Sequence, residues 1–162
     1  MKPSNLKGAI RLREAGQHSE ARAILLELLS ARPKDPILNY QCAWVHDALG
    51  RERAAIPYYE RAIRYGLRGA DLEGALLGLG SSYRCVGAYK LAIKTLARGQ
   101  KRFSKSRQFD PFLAMAHFNA GNRDTAMEIL LRCVAQTSKD PGIVKYKRAI
   151  EFYADKLDKI YN

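Results

Sequence analysis

The sequence predicts an all-α chain, an α-solenoid of four helix pairs closed by a C-terminal capping helix. Three observations carry this. First, four segments align with one another: GQHSEARAILLELL from Gly16, GRERAAIPYYERAI from Gly50, GAYKLAIKTLARGQ from Gly87 and GNRDTAMEILLRCV from Gly121. Their glycines are separated by 34, 37 and 34 residues, and each has an alanine five positions on, Ala21, Ala55, Ala92 and Ala126. A fixed period of this length is the mark of stacked supersecondary units. Second, apolar residues recur at helical spacing, as in Ile24, Leu25, Leu28 and Leu29, in Ile56, Tyr59 and Ile63, and in Ile129, Leu130 and Cys133. Third, no segment alternates in the manner of a strand.

The elements follow in order. Helix pairs are expected over about 3–34, 36–68, 71–104 and 107–138 of a single domain, 1–162, with a terminal helix over 141–161. Each landmark glycine stands where a first helix must stop and reverse, a place for left-handed backbone angles that glycine adopts at little cost. Each landmark alanine lets two helix backbones approach. Asp35-Pro36, Asp110-Pro111 and Asp140-Pro141 each read as an N-cap acid with proline at the first helical position. The turn-like GLRGAD, residues 66–71, is expected to absorb the three-residue insertion in the second interval. Pro57 falls about one turn into its helix, where it removes one backbone hydrogen bond.

With these residues in place, the chain resembles the tetratricopeptide repeat, a helix-turn-helix unit with the pattern W-x2-L-G-x2-Y, then A-x3-F, then P. The third repeat matches best, with Leu76, Leu79-Gly80, Tyr83, Ala92 and Leu96. The second has Asn39, Cys42-Ala43, His46, Ala55 and Tyr59, and the fourth Asp110, Leu113-Ala114, His117, Ala126 and Leu130. The first follows with Asn5, Gly8-Ala9, Leu12, Ala21, Leu25 and Pro33. The consensus tryptophan is missing from all four. The resemblance covers roughly 3–138 and implies a right-handed superhelix whose first helices form a concave wall that receives a protein or peptide partner. More narrowly, LGSSYRCVGAY and YADKLD are similar to small bacterial members of this class, which implies dimerisation.

The stretch GALLGLGSSYRCVGAY, residues 74–89, poses a separate question, because Gly78 and Gly80 begin a G-x-G-x-x-G phosphate cradle. Tyr83 stands where the third glycine belongs. Gly80 instead occupies the small slot held by Ala9, Ala43 and Ala114 in the other repeats, so close helix packing is the expected role.

Composition bounds the rest. Of 162 residues, 47% are hydrophobic and 27% charged, a globular balance. The charged N-terminal stretch offers no apolar signal region, and Cys42, Cys85 and Cys133 form neither a C-x-x-C pair nor a metal-ligand spacing, so a cytoplasmic, reducing location is expected with no membrane insertion. The net charge of +12 favours acidic partners. Residues 74–109 contain no Asp or Glu, and within them Lys90, Lys94, Arg98, Lys101 and Arg102, with Lys105, form a basic stripe. It is either a solvated convex face or a surface for nucleic acid or another polyanion.

The expected function is a noncatalytic adaptor that binds a peptide or helix in the concave groove; the alternative is a basic module for polyanions. The groove is expected to be lined by Ile10, Arg13, Tyr40, Trp44, Asp47, Leu77, Ser81, Arg84, Met115 and Asn119. Trp44 is an anchor there or packs against a neighbouring repeat. No nucleophile has a His and a carboxylate near it in sequence, and His46 and His117 fall in a packing slot, so catalytic residues, cofactors and metals are not expected. Along the terminal helix, Ile143, Tyr146, Ile150, Tyr153, Leu157 and Ile160 recur at steps of three and four, which marks either an intramolecular cap or the seam of a homodimer.

Overall fold

The computed structural model describes residues 5–161, so the first two positions of the 3–34 pair and the outer ends of the 1–162 domain lie outside the described residues. The described residues contain helices and turns without strands. The pairs are α1 (Leu6–Glu14) with α2 (His18–Ala31), α3 (Pro36–Ala48) with α4 (Glu52–Arg64), α5 (Gly69–Cys85) with α6 (Tyr89–Arg102), and α7 (Phe109–Asn119) with α8 (Arg123–Thr137). Two short helices, α9 (Pro141–Lys145) and α10 (Lys147–Tyr153), follow.

All four hairpins are built the same way. Gly16, Gly50, Gly87 and Gly121 have φ of 77°, 66°, 83° and 88°. The glycine N–H donates to the carbonyl three residues back, and the next N–H reaches five residues back, as in Gly87 to Arg84 (3.1 Å) and Ala88 to Tyr83 (2.8 Å). This Schellman arrangement satisfies carbonyls that the helix end would otherwise orphan. Because the reversal is set by backbone hydrogen bonds, each second helix leaves at the same angle and its landmark alanine is delivered into the interface. Ala21, Ala55 and Ala92 are fully buried and Ala126 nearly so, as are Ala9, Ala43 and Ala114 on the first helices.

Gly80 confirms the packing reading: a Cβ there would collide with the side chain of Leu96 on α6, itself fully buried. Two apolar clusters run through the stack. One joins α1, α2 and α3 through Ala9, Leu25, Leu38 and Val45. The other runs from α3 to α7 through Tyr59, Leu76, Leu96 and Phe109. His46 fills the slot at which the third repeat has Tyr83. It stacks on Tyr58 (5.0 Å between centroids), bonds through Nδ1 to the Cys42 carbonyl (2.7 Å) and accepts at Nε2 from the Arg22 guanidinium (3.0 Å). Burial lowers its pKa, and Arg22 and Arg51 act in the same direction.

Three expectations are corrected. Asp35 and Asp140 do cap their helices through their side chains, but α7 begins one residue before Asp110, with Gln108 as its N-cap. The buried Asp110 carboxylate accepts from Gln100 (2.7 Å) and Arg107 (3.5 Å), which tie it to the preceding helix and turn. The insertion is taken up partly by helix, since α5 starts at Gly69 and runs 17 residues. Finally, in place of one helix over 141–161 the chain forms α9 and α10 and then turns, with Tyr146 (φ −100°, ψ 10°) capping both. Side chains claim the carbonyls that a longer α10 would use: Arg132 of α8 donates to the Glu151 carbonyl (3.3 Å), and Lys156 Nζ donates to that of Phe152 (2.8 Å). Pro57 lies within α4 without ending it, and the carbonyl that loses its donor belongs to Arg53, an exposed residue.

Two outcomes are expected. Gly80→Ala should lower stability in urea by about 1–2 kcal/mol, overpacking against Leu96 outweighing a helix-propensity gain of about 1 kcal/mol; increased stability would show that Leu96 moves aside. For His46, the folded state holds its proton less tightly than the unfolded chain does. Its stabilising contribution is therefore present above about pH 6.5 and lost as pH falls. Thermal midpoints measured from about pH 7.5 to 5.5 should decline, and His46→Gln should flatten that decline.

Candidate functional site

The inner wall of the stack follows from which helices touch. Successive first helices contact one another directly, α1 with α3, α3 with α5 and α5 with α7, whereas among the described residues no second helix of a pair touches the second helix of the next. The first-helix side is thereby the shorter, concave one. Hydrogen bonds one repeat apart stitch it together: Ser82 Oγ donates to Asp47 Oδ1 (2.8 Å), Gln108 Nε2 to Glu73 Oε1 (2.7 Å) and Arg84 to Asn119 Oδ1 (3.2 Å), each across 35 residues.

Between α3 and α5 this wall holds a trough of about 480 Å³. Its floor depends on Gly74 and Gly78, one helical turn apart on α5. A Cβ at Gly74 would strike the Tyr40 hydroxyl, and one at Gly78 the Tyr59 hydroxyl. The missing side chains let two tyrosine rings lie against the helix backbone. Tyr59 then donates to Asp47 Oδ2 (3.0 Å), so both Asp47 oxygens are held by neutral hydroxyls. Burial pushes the Asp47 carboxyl above its usual range and the charge of Glu52 adds to this, while the two hydroxyl donors pull the other way. Tyr40 is pushed up to about 12, chiefly by burial.

Trp44 forms the trough's side and remains 40% exposed. Arg13 of α1 lies over the indole, its guanidinium carbon 3.4 Å from the ring centroid. Tyr40 is 5.7 Å away, centroid to centroid. Both readings of Trp44 thus have a structural counterpart: one face packs against the neighbouring pair and the remainder meets solvent. Arg13 is only 7% exposed; it pairs with Glu14 (3.2 Å), its Nε has no partner, and burial lowers its pKa.

Of the ten residues expected in the groove, Tyr40, Trp44, Asp47, Leu77 and Ser81 line this trough, with Arg13 behind Trp44. Arg84, Met115 and Asn119 instead line a second hollow of about 410 Å³, with Phe118, Arg123, Met127 and Leu130 of the last pair. Ile10 is half-buried on α1 and borders neither. The trough also recruits Glu52, Tyr59, Gly74, Gly78, Gln108 and Phe112. Glycines spaced by four on one helix were the available signal for the tyrosine seats; Glu52 and Tyr59 come from α4, and Gln108 and Phe112 from the start of α7.

Elsewhere, Lys90, Lys94, Arg98, Lys101, Arg102 and Lys105 are all exposed, five of them on α6 and Lys105 just beyond it. The six seam residues fall on two short helices and the turns after them. Ile143 and Ile150 are half-buried, while Tyr146, Tyr153, Leu157 and Ile160 are exposed. Among the described residues no helix is long and apolar enough to cross a membrane.

Residues 36–157 match the model of the tetratrico peptide repeat family. No curated protein matches the chain in sequence. Among solved structures, it is similar to the crystal structure of YrrB, described as a TPR protein with an unusual peptide-binding site, at 17% identity and a TM-score of 0.74, covering 87% of this chain and 71% of that one. It is similar also to the MamA protein, at 16% identity and a TM-score of 0.71, covering 91% and 77%. A further MamA structure, MSR-1 C2, shares 19% identity at a TM-score of 0.64 over 94% and 93%. At these identities the likeness concerns the fold.

Trp44 is the only tryptophan in the chain, so its fluorescence reports on the trough alone. Arg13→Ala should shift its emission to longer wavelength as the covered face meets water, with far-UV helicity retained and about 1 kcal/mol of stability lost. An unchanged spectrum would mean that the guanidinium does not shield the ring.

Proposed function

Because this chain belongs to the tetratricopeptide repeat family, we propose that it is a noncatalytic protein–protein interaction module that holds a peptide or a helix of its partner in the concave groove. One observation carries the reading: a partly exposed tryptophan, held in place from behind by Arg13, stands beside a trough large enough for side chains of a peptide. Burying roughly 200 Å² of an aromatic side chain at about 25 cal/mol per Å² contributes several kcal/mol before the costs of association. Because Arg13 and Tyr40 already restrict the ring, little rotamer freedom remains to be lost on binding. Most polar groups on the wall are engaged with one another, so shape and apolar contact supply much of the affinity.

Selection from a displayed random-peptide library should yield peptides that quench or shift Trp44 fluorescence. Trp44→Ala and Leu77→Ala should each weaken their binding about tenfold or more, a loss of about 1.4 kcal/mol, while helicity is unchanged. Peptides that bind both variants as well as wild type would place recognition away from the trough.

A further inference from the structure

The chain carries a net charge of +12, yet Asp47 and Glu52 are the two carboxyl side chains that line the trough and no Lys or Arg lines it with them, the exposed chain neighbours of Glu52, Arg51 and Arg53, lying outside its lining. A third carboxylate, Glu73, lies outside the lining and accepts a hydrogen bond from Gln108, which is part of it. Among the described residues, neither Asp47 nor Glu52 forms an ion pair. The donors on Asp47 are both neutral hydroxyls, which offset part of its desolvation and leave its charge unbalanced. Arg13 does not supply the missing cation: it lies across Trp44 and pairs with Glu14. A partly buried carboxylate beside aromatic rings is a setting in which an incoming cation gains twice, from the charge and from the negative faces of the rings. The methylene stem of such a side chain also needs apolar surface, and Leu77 and Phe112 provide it in the same trough.

Resting on the reading of this trough as a peptide groove, we infer that its occupant is a basic peptide, one that seats a Lys or Arg between apolar neighbours with the cation against Asp47 and Glu52. The preference runs against the charge of the whole molecule, whose long-range field attracts acidic partners. Selection is made at contact distance, where local complementarity dominates a field screened over roughly 8–10 Å.

The test uses the library-selected peptides and the intact chain. Trp44-dependent peptides should be enriched in Lys or Arg. Replacing that residue by Gln should weaken binding to wild type about tenfold, and to the Asp47→Asn, Glu52→Gln double variant less than about twofold, as a pairwise coupling requires. Asp47 also holds Tyr59 and Ser82, so Glu52→Gln alone, from a side chain with no such bonds, provides the same comparison should the double variant unfold. Trp44-dependent peptides that are acidic or uncharged, or an equal loss on both proteins, would overturn the basic occupant and leave the groove standing. Trp44-dependent self-association in light scattering would make a second copy the occupant and likewise overturn it. A library that yields no Trp44-dependent peptide overturns both readings.

Discussion

A glycine N–H and the N–H after it, turned back onto the carbonyls of a finishing helix, are the constraint from which the rest of this molecule follows. The bonds form only when the glycine takes a positive φ, and once formed they leave the next helix little choice of direction. Four such reversals place four alanines into four interfaces, and the stacking of pairs then repeats. Concavity is a consequence: first helices touch their successors and second helices do not, so the stack bends toward the first-helix side. A groove is therefore a property of the packing before any side chain decorates it.

What the groove can hold is decided by the next layer of contacts. Gly74 and Gly78 admit the Tyr40 and Tyr59 rings against α5, and Tyr59 in turn holds Asp47. The same arrangement that rigidifies the floor leaves a carboxylate partly desolvated with only neutral donors. A polar group in that state is a source of specificity, since the groove binds best whatever completes its electrostatics. Trp44 has the complementary role, an apolar surface whose orientation is already fixed by Arg13.

The end of the stack shows what happens when the repeat stops. The short α10 packs on α8 and makes no contact with α7, unlike a following first helix, which touches both helices of the pair before it. Met115, Phe118, Met127 and Leu130 consequently remain exposed on the last pair. Arg132 and Lys156 hold the terminal segment by its carbonyls, which is a polar closure in place of an apolar one.

Features governed by neighbours in the chain were legible from the residues alone. The hairpin positions, the helix pairs and the packing role of Gly80 depend on backbone conformation and on side-chain size at a fixed period, and both are written locally. The end of the helical stripe after Tyr153 was not legible, because spacing cannot reveal that Arg132, from another helix, takes a carbonyl the stripe would need. Nor was the different use of Asp110, which is followed by proline as Asp35 and Asp140 are while Gln100 draws its carboxylate inward. The trough likewise assembles Glu52 and Tyr59 of α4 and Phe112 of α7 around residues of α3 and α5. By itself, the sequence determined the hairpin and its repetition, since a turn needs only its own few residues. Tertiary structure alone decided which carboxylate lacks a cation and which face of Trp44 is covered, because charge balance and burial are sums over atoms that the chain brings together only when it folds.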